Sequence, residues 1–327
     1  MTSPENSPAG AGVDRLRVGV VGTGYLGKFH ARIYSAMPDV DLVGIVDVNE
    51  SAAKAVADEC SCPAYTENEA LLDKVDAVSI VVPTELHLRV ARPFLENGIH
   101  MLLEKPVAPS YEEALELVEL AEKSGVVFQV GHLERYNAGV MALAERVTAP
   151  RFIEVHRLGP FVARATDVDV VTDLMIHDID IVMELVGSPI KSLSAMGSPV
   201  ITNHVDIANA RIEFENGAVA NVTASRVSNK KFRRIRVFER DHYYGLDYTD
   251  QCLDIATARR KSQGDEWPEI VTERLEVEPI LPLNAELEDF VHNIRTGGIP
   301  LVTGRVGLEA LRVALLVKEK MAACLPL

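Results

Sequence analysis

Six residues near the start of the chain restrict its fold more than any other feature: Gly22-Thr23-Gly24-Tyr25-Leu26-Gly27. The run before them, Leu16-Arg17-Val18-Gly19-Val20-Val21, is short and rich in β-branched residues, as a strand is. After them Leu26, Phe29, Ile33 and Met37 recur three or four apart, the spacing of one helical face. A G-x-G-x-x-G between strand and helix needs a tight turn at its first glycine. The second lets the backbone approach a pyrophosphate, and the third lets helix and strand pack closely. The phosphates then meet the free N–H groups of the helix start. Asp47 stands twenty residues beyond Gly27, just after the apolar run 42–46. A carboxylate there can accept hydrogen bonds from both ribose hydroxyls and repels a 2′-phosphate, and Val48-Asn49-Glu50 offers no cation to neutralise one. NAD is therefore expected over NADP, bound by Gly22, Thr23, Gly24, Tyr25, Leu26, Gly27 and Asp47.

Further near-continuous apolar runs at 77–82, 99–103 and 126–130 alternate with helical patterns at 85–97 and 110–124. The latter is opened by Ser110 with Glu113 three residues on, a capping-box spacing. This pattern predicts a doubly wound parallel sheet, an α/β Rossmann domain over residues 15–132. From 133 to 327 the texture changes. Strand-like segments follow one another at 151–158, 191–198, 207–214, 218–226, 232–239 and 268–277, with helices expected at 170–186, 284–296 and 304–322. Asn216-Gly217 is a hairpin signal. These segments predict an α+β domain with a large, mostly antiparallel open sheet, helices on one face and the other free for ligand or a second subunit. Residues 1–14, rich in Ser, Pro, Ala and Gly, read as a disordered tail without the basic start or apolar core of a signal peptide.

Charge narrows the partners. The chain has 33 basic and 48 acidic residues, a formal −15, which disfavours nucleic acid and anionic membrane. No apolar run approaches the ~20 residues that span a bilayer. Cys60, Cys62, Cys252 and Cys324 have neither zinc-finger nor redox-motif spacing and read as reduced thiols of a cytoplasmic protein. No metal site is expected.

Two more segments end strands on the edge where ligands of open α/β sheets lie: Val82-Pro83-Thr84-Glu85-Leu86-His87 and Glu104-Lys105-Pro106. The proline keeps Lys105 out of helical geometry. Together with the glycine loop, these motifs resemble the glucose–fructose oxidoreductase / inositol dehydrogenase / rhizopine-catabolism (Gfo/Idh/MocA) family, in order and at family spacing from about residue 15 to 323. The resemblance implies a Rossmann domain followed by an open-sheet domain buried in a homodimer or homotetramer interface. It also implies cofactor contacts from Pro83, Thr84, His87, Glu104 and Lys105, with Lys105 reaching the reacting hydroxyl.

The family's dehydrogenases carry an Asp-x-x-x-His, here Asp173-Leu174-Met175-Ile176-His177. On an α-helix this spacing stacks the two side chains on one face, where a carboxylate would raise the imidazole's basicity. The expectation is NAD-dependent oxidation of a sugar hydroxyl. In it Lys105 and His177 bond the oxygen, His177 takes the proton and Asp173 supports it; the alternative is Lys105 as base with His177 positioning. The junction Gln129-Val130-Gly131-His132-Leu133-Glu134-Arg135-Tyr136-Asn137 resembles the branch acting on C3 of UDP-N-acetylhexosamines. So does 232–238, whose basic cluster Lys230, Lys231, Arg233, Arg234 and Arg236 could attract phosphate. His132, Arg135, Tyr136 and Arg164 join Lys105, Asp173 and His177 as expected substrate contacts. A free-sugar or inositol dehydrogenase, or a non-catalytic NAD- and sugar-binding regulator, is the competing reading.

Overall fold

Apolar runs too continuous for a one-sided sheet end up buried on both faces. The computed structural model describes residues 15–162, 168–260 and 267–323. Strands β1 (Leu16–Val21), β2 (Val40–Val46), β3 (Ala64–Tyr65), β4 (Ala77–Ile80), β5 (His100–Glu104) and β6 (Phe128–Gly131) form one sheet, all pairs parallel, in the order β3-β2-β1-β4-β5-β6. Helices α1 (Gly27–Ala36), α2 (Glu50–Cys60), α3 (His87–Glu96) and α4 (Tyr111–Ser124) complete the doubly wound layer. Strand order reverses between β1 and β4, so the crevice lies outside their carboxyl ends.

The glycine loop is built as its spacing demands. Gly22 has φ +97°, and a Cβ on it would stand 2.3 Å from the Val81 carbonyl oxygen. A Cβ on Gly27 would stand 1.9 Å from the Gly22 oxygen, whereas one on Gly24 would meet nothing within 4 Å. Two glycines are packing requirements, and the middle one faces open space.

The second sheet contains β7 (Phe152–Leu158), β8 (Ile190–Ser198), β9 (Ile207–Phe214), β10 (Val219–Ser225), β11 (Phe232–Phe238), β12 (His242–Asp247), β13 (Cys252–Arg259) and β14 (Glu269–Glu276). Their order is β14-β13-β12-β11-β7-β10-β9-β8, antiparallel except for β7 with β10. Alternation sends Ile153, Val155, Ile212, Val222, Ile235 and Val237 into one core with helices α6 (Ile176–Val186) and α8 (Gly304–Ala322). Glu154, His156, Asn209 and Thr223 line an open depression on the opposite face. Asn216-Gly217 turns β9 into β10, with the Phe214 amide donating to Ala218 O at 2.9 Å.

Two features differ from the sequence expectation. Helix α2, the short helix α5 (Ala138–Ala144) and strands β12 and β13 were not anticipated, because α2 buries only Ala53, Val56 and Ala57, α5 is only seven residues long, and Gly245, Ala256 and Ala258 blur the alternation of the strands. The division at residue 132 separates the sheets but not the helices. Helix α7 (Pro282–Thr296) returns to the first sheet, where Leu287, Phe290 and Val291 pack with Val18, Val20 and Ile45. The segment after α7 also pairs with β6, Val130 N donating to Val302 O at 3.0 Å. Residues 1–14, Arg164 and Cys324 lie outside the described residues. Cys60, Cys62 and Cys252 are free thiols. No helix among the described residues is long and apolar enough to cross a membrane.

Gly27→Ala should cost about 1–3 kcal/mol, the range for overpacking a tight site, and lower the Tm of the NAD-free protein. Gly24→Ala should leave that Tm unchanged while weakening NAD binding. A wild-type Tm for Gly27→Ala would refute this division of roles.

Candidate active site

The cofactor cradle starts at α1, whose first residues have no side-chain cap and no acidic residue in the first turn. Its amides are thus left to an anion. Asp47 Oδ2 accepts from the Thr23 amide at 2.8 Å and the Thr23 hydroxyl at 2.6 Å, and Oδ1 from the Asn49 amide at 2.9 Å. Partial burial opposes its charge, but these three bonds outweigh that and hold Asp47 below the usual carboxylate range. The carboxylate that would read the ribose also fixes the loop that would hold the pyrophosphate. The open space at Gly24, the uncapped helix and this ionised carboxylate fit a dinucleotide. Tyr25 is exposed and Leu26 caps the helix by its backbone, so neither side chain is a built contact.

Opposite this cradle the two halves meet. Lys105 Nζ donates to the Asp173 carbonyl at 2.7 Å and lies 3.5 Å from Asp173 Oδ1. Asp173 belongs to a π-helical turn, Val171–Met175, ahead of α6. A π turn carries more residues per turn than an α-helix, so the four-residue spacing no longer stacks Asp173 over His177. The expected Asp173–His177 support is thereby corrected: the carboxylate sits against Lys105. His177 is buried with no partner on Nδ1, its ring edge-on to His132 at 5.9 Å between centroids. Burial first, then the charges of Lys105, Arg157, His132 and Arg233, push its proton affinity well below that of an ordinary histidine. The imidazole is neutral at pH 7, not made more basic. Lys105 acts on it through its field; among the described residues no hydrogen bond joins the two.

Several expected contacts point elsewhere. Glu104 turns inward to His30, 3.2 Å away, since side chains at a strand end alternate and Lys105 takes the outward position. His87 is buried between two carbonyls, Val107 O at 3.1 Å and Val82 O at 3.0 Å, so both ring nitrogens face the strand-end loops that it ties together. His132 is fully buried beneath His177, 3.9 Å from Asp180 Oδ2, and burial with Lys105 and Arg135 lowers its pKa to about 3. Arg135 is buried against Asp180 and Glu184 at 3.8 and 3.0 Å, and Tyr136 donates to Asp289 at 2.7 Å. Tyr136 is thereby turned into the interior, whereas Arg135, its Nη1 unpartnered, lines a separate pocket with Val140, Glu184 and Leu185. Thr84 and Pro106 do line a pocket with Lys105 and Asp173, and Pro83 precedes it at the start of a short 3-10 turn. His156 lies on the far face beside Phe232.

A charged network that sequence reasoning missed stands next to His177. Arg157 on β7 donates to both oxygens of Asp178 at 2.7 and 2.8 Å and to Glu134 Oε1 at 2.8 Å, with its guanidinium 5.1 Å from the Tyr248 ring centroid. Arg233 comes within 3.6 Å of the same Glu134 oxygen. Both arginines occupy core-facing positions of otherwise apolar alternations, and that was the available signal. The basic cluster divides accordingly: Arg233 faces inward, whereas Arg234 pairs with Asp254 and Arg236 with Glu154 on the other face.

Residues 16–132 match the oxidoreductase family with NAD-binding Rossmann fold (GFO/IDH/MocA), and residues 146–241 its C-terminal domain. The chain is 37% identical over 311 residues to UDP-N-acetylglucosamine 3-dehydrogenase of Acidithiobacillus ferrooxidans, covering 95% of this chain and 98% of that one. A solved structure of that protein superposes with a TM-score of 0.89 over 94% of this chain and 98% of that chain. Scyllo-inositol 2-dehydrogenase (NAD(+)) of Bacillus subtilis is 29% identical over 323 residues, 88% of this chain and 89% of its own. Levoglucosan dehydrogenase, solved with NADH and levoglucosan, shares the fold at a TM-score of 0.83 and 21% identity, covering 94% and 98%.

Asp47→Ala removes the anchor of Thr23 and, with it, the carboxylate that would accept from the ribose. It should weaken NAD binding and shift the NAD/NADP preference toward NADP in paired titrations. An unchanged ratio would sink the role given to Asp47.

Proposed function

The chain belongs to the Gfo/Idh/MocA oxidoreductases, and on that premise we propose that it oxidises C3 of a UDP-N-acetylhexosamine. Held by the 22–27 loop and Asp47, NAD supplies a hydride-accepting carbon. The remaining work falls to side chains. Lys105 carries three N–H donors, so it can keep the Asp173 carbonyl and still bond a substrate oxygen. Asp173 positions that amine. His177, neutral and buried, accepts the hydroxyl proton. The cations around it, Lys105, Arg157 and Arg233, disfavour the imidazolium, so the proton it takes is released to bulk water and the ring returns to its neutral form.

The single observation behind this reading is the Lys105–Asp173 bond of 2.7 Å, which brings a strand end of the NAD domain to the helix start that carries His177. The nucleotide-sugar assignment draws on the 37% identity to the UDP-N-acetylglucosamine enzyme over nearly both full lengths. Arg233, facing the His177 side of its sheet, is the group we assign to the substrate's phosphates. We also read the protein as cytoplasmic and free of nucleic-acid partners. It would associate as a dimer or tetramer through the second sheet's outer face, where Met196, Ile207 and Phe232 are exposed. Sedimentation showing only monomer would remove that last reading.

With NAD, the protein should form NADH from a UDP-N-acetylhexosamine, and Lys105→Ala or His177→Ala should each lose at least ~100-fold in kcat/KM, as expected for acid–base groups. Equal turnover of the sugar without UDP would favour a free-sugar dehydrogenase. Because His177 gives up its proton so readily, kcat/KM should hold as pH falls through the ordinary histidine value of about 6.5 and drop only below it. An acid limb at the ordinary value would remove His177 as the acceptor.

A further inference from the structure

Behind Lys105, away from the cleft, three ionisable side chains meet in the interior. His30 of α1, Glu104 of β5 and Glu286 of α7 bring one nitrogen and two carboxyl oxygens within 4.8 Å of one another. His30 and Glu286 are fully buried, and Glu104 is 6% exposed. Both ring nitrogens of His30, Glu104 Oε1 and both carboxyl oxygens of Glu286 have no hydrogen-bond partner. Gly131 makes the room: a Cβ there would stand 2.9 Å from Glu104 Oε2.

Among the described residues the surroundings supply no lysine or arginine to pair with these carboxyls. Tyr34 bonds Ser79 at 2.9 Å. Gln129 Nε2 donates to the Glu286 backbone carbonyl at 2.9 Å, and Tyr136 donates to Asp289, one turn along α7, at 2.7 Å. His30 stands 3.2 Å from Glu104, and His87, held between two carbonyls, feels the Glu104 charge from the strand-end side. Two ionised carboxylates cannot share such a place, because buried charge without a partner is avoided by keeping the proton. A bound divalent cation is a weaker answer. Ligating histidines donate their second nitrogen to a partner, and His30 has none on either.

We propose that Glu286 is a neutral carboxylic acid that closes a proton-sharing cluster with Glu104 and His30, and that this cluster positions the strand end from which Lys105 reaches the cleft. Burial, reinforced by Glu104 and Asp289, holds the Glu286 carboxyl well above its usual range. The native state therefore binds this proton more tightly than the unfolded chain. Its stabilisation is complete below the unfolded value of about 4.3 and is lost as pH rises through the folded value. Neutral acids of this kind are known hydrogen-bond donors in apolar sites. The positioning half rests on the role of Lys105 given above; the protonation half does not.

The test compares Glu286→Gln and Glu286→Ala with wild type, using the full chain. Glu286→Gln should match the wild-type Tm near pH 6 and exceed it near pH 9, while Glu286→Ala should be destabilised at both. Infrared spectra of the NAD-free protein should show a protonated-carboxyl C=O stretch in wild type that Glu286→Gln lacks. Glu286→Ala should lower kcat about tenfold or more with NAD affinity kept, and glutamine should restore it, as a positioning role requires. A glutamine variant as unstable as the alanine, or no protonated-carboxyl band, would overturn the neutral acid. Stoichiometric metal with a Tm lowered by chelator would replace it with a cation site. An unchanged kcat in Glu286→Ala would remove the positioning role alone. If Lys105→Ala keeps full turnover, the catalytic reading has failed, yet Tm and infrared still decide the cluster.

Discussion

The bond between the Lys105 amine and the Asp173 carbonyl is the contact on which the site depends. Everything on one side of it follows from parallel-sheet topology: β5 ends at the crevice, and the residue just past its end lines the pocket there. Everything on the other side follows from a helix that begins with a π turn instead of a regular one. A hydrogen bond from a charged donor to a carbonyl is stronger than a neutral one. Here it also ties the end of β5 to the turn ahead of α6, across two sheets whose cores helix α8 joins.

That contact puts a cation beside an imidazole, and the rest of the local charge distribution answers to it. Arg157 and Arg233 add positive charge near His177, while Asp178 and Glu134 return negative charge to the arginines and none directly to the ring. Burying the Arg157–Asp178 pair costs desolvation that its attraction barely repays, so stability is a poor reason for it. Its two-pronged geometry fixes orientation: Asp178 follows His177 in the chain, and clamping it fixes the first turn of α6 against β7.

Sequence alone carried the cofactor half further than the substrate half. The glycine loop, Asp47 and Lys105 are local: each function is set by neighbours within one strand–loop–helix unit, so spacing reveals it. The errors came where a single residue step changes the face. Glu104 and Lys105 are adjacent and project oppositely, and Arg233 and Arg234 do the same on β11. Tyr136 and Arg135 read as substrate contacts because the junction lies near the cleft, but Asp289 and Glu184, distant in sequence, draw their polar ends away from Lys105. Asp173 and His177 were placed by α-helical geometry that the π turn does not obey. Arg157 and Arg233 were visible as charges in apolar alternation, yet only long-range pairing with Asp178 and Glu134 gives them meaning.

The same long-range return explains why the cleft is held in one shape. Helix α8 contributes Leu308 and Leu311 to the core of the first sheet and Val313, Ala314, Val317 and Met321 to that of the second. Helix α7 comes back across the junction to bury Leu287 and Phe290 under β1 and β2. Opening the cleft by rotating one sheet away would have to shear α8 from one of two close-packed cores, each intolerant of small displacements. The chain therefore spends its last helices on keeping Lys105 and α6 at a fixed separation. A hydride donor carbon and its acceptor need that kind of preset geometry, because alignment supplied before binding does not have to be supplied by the substrate.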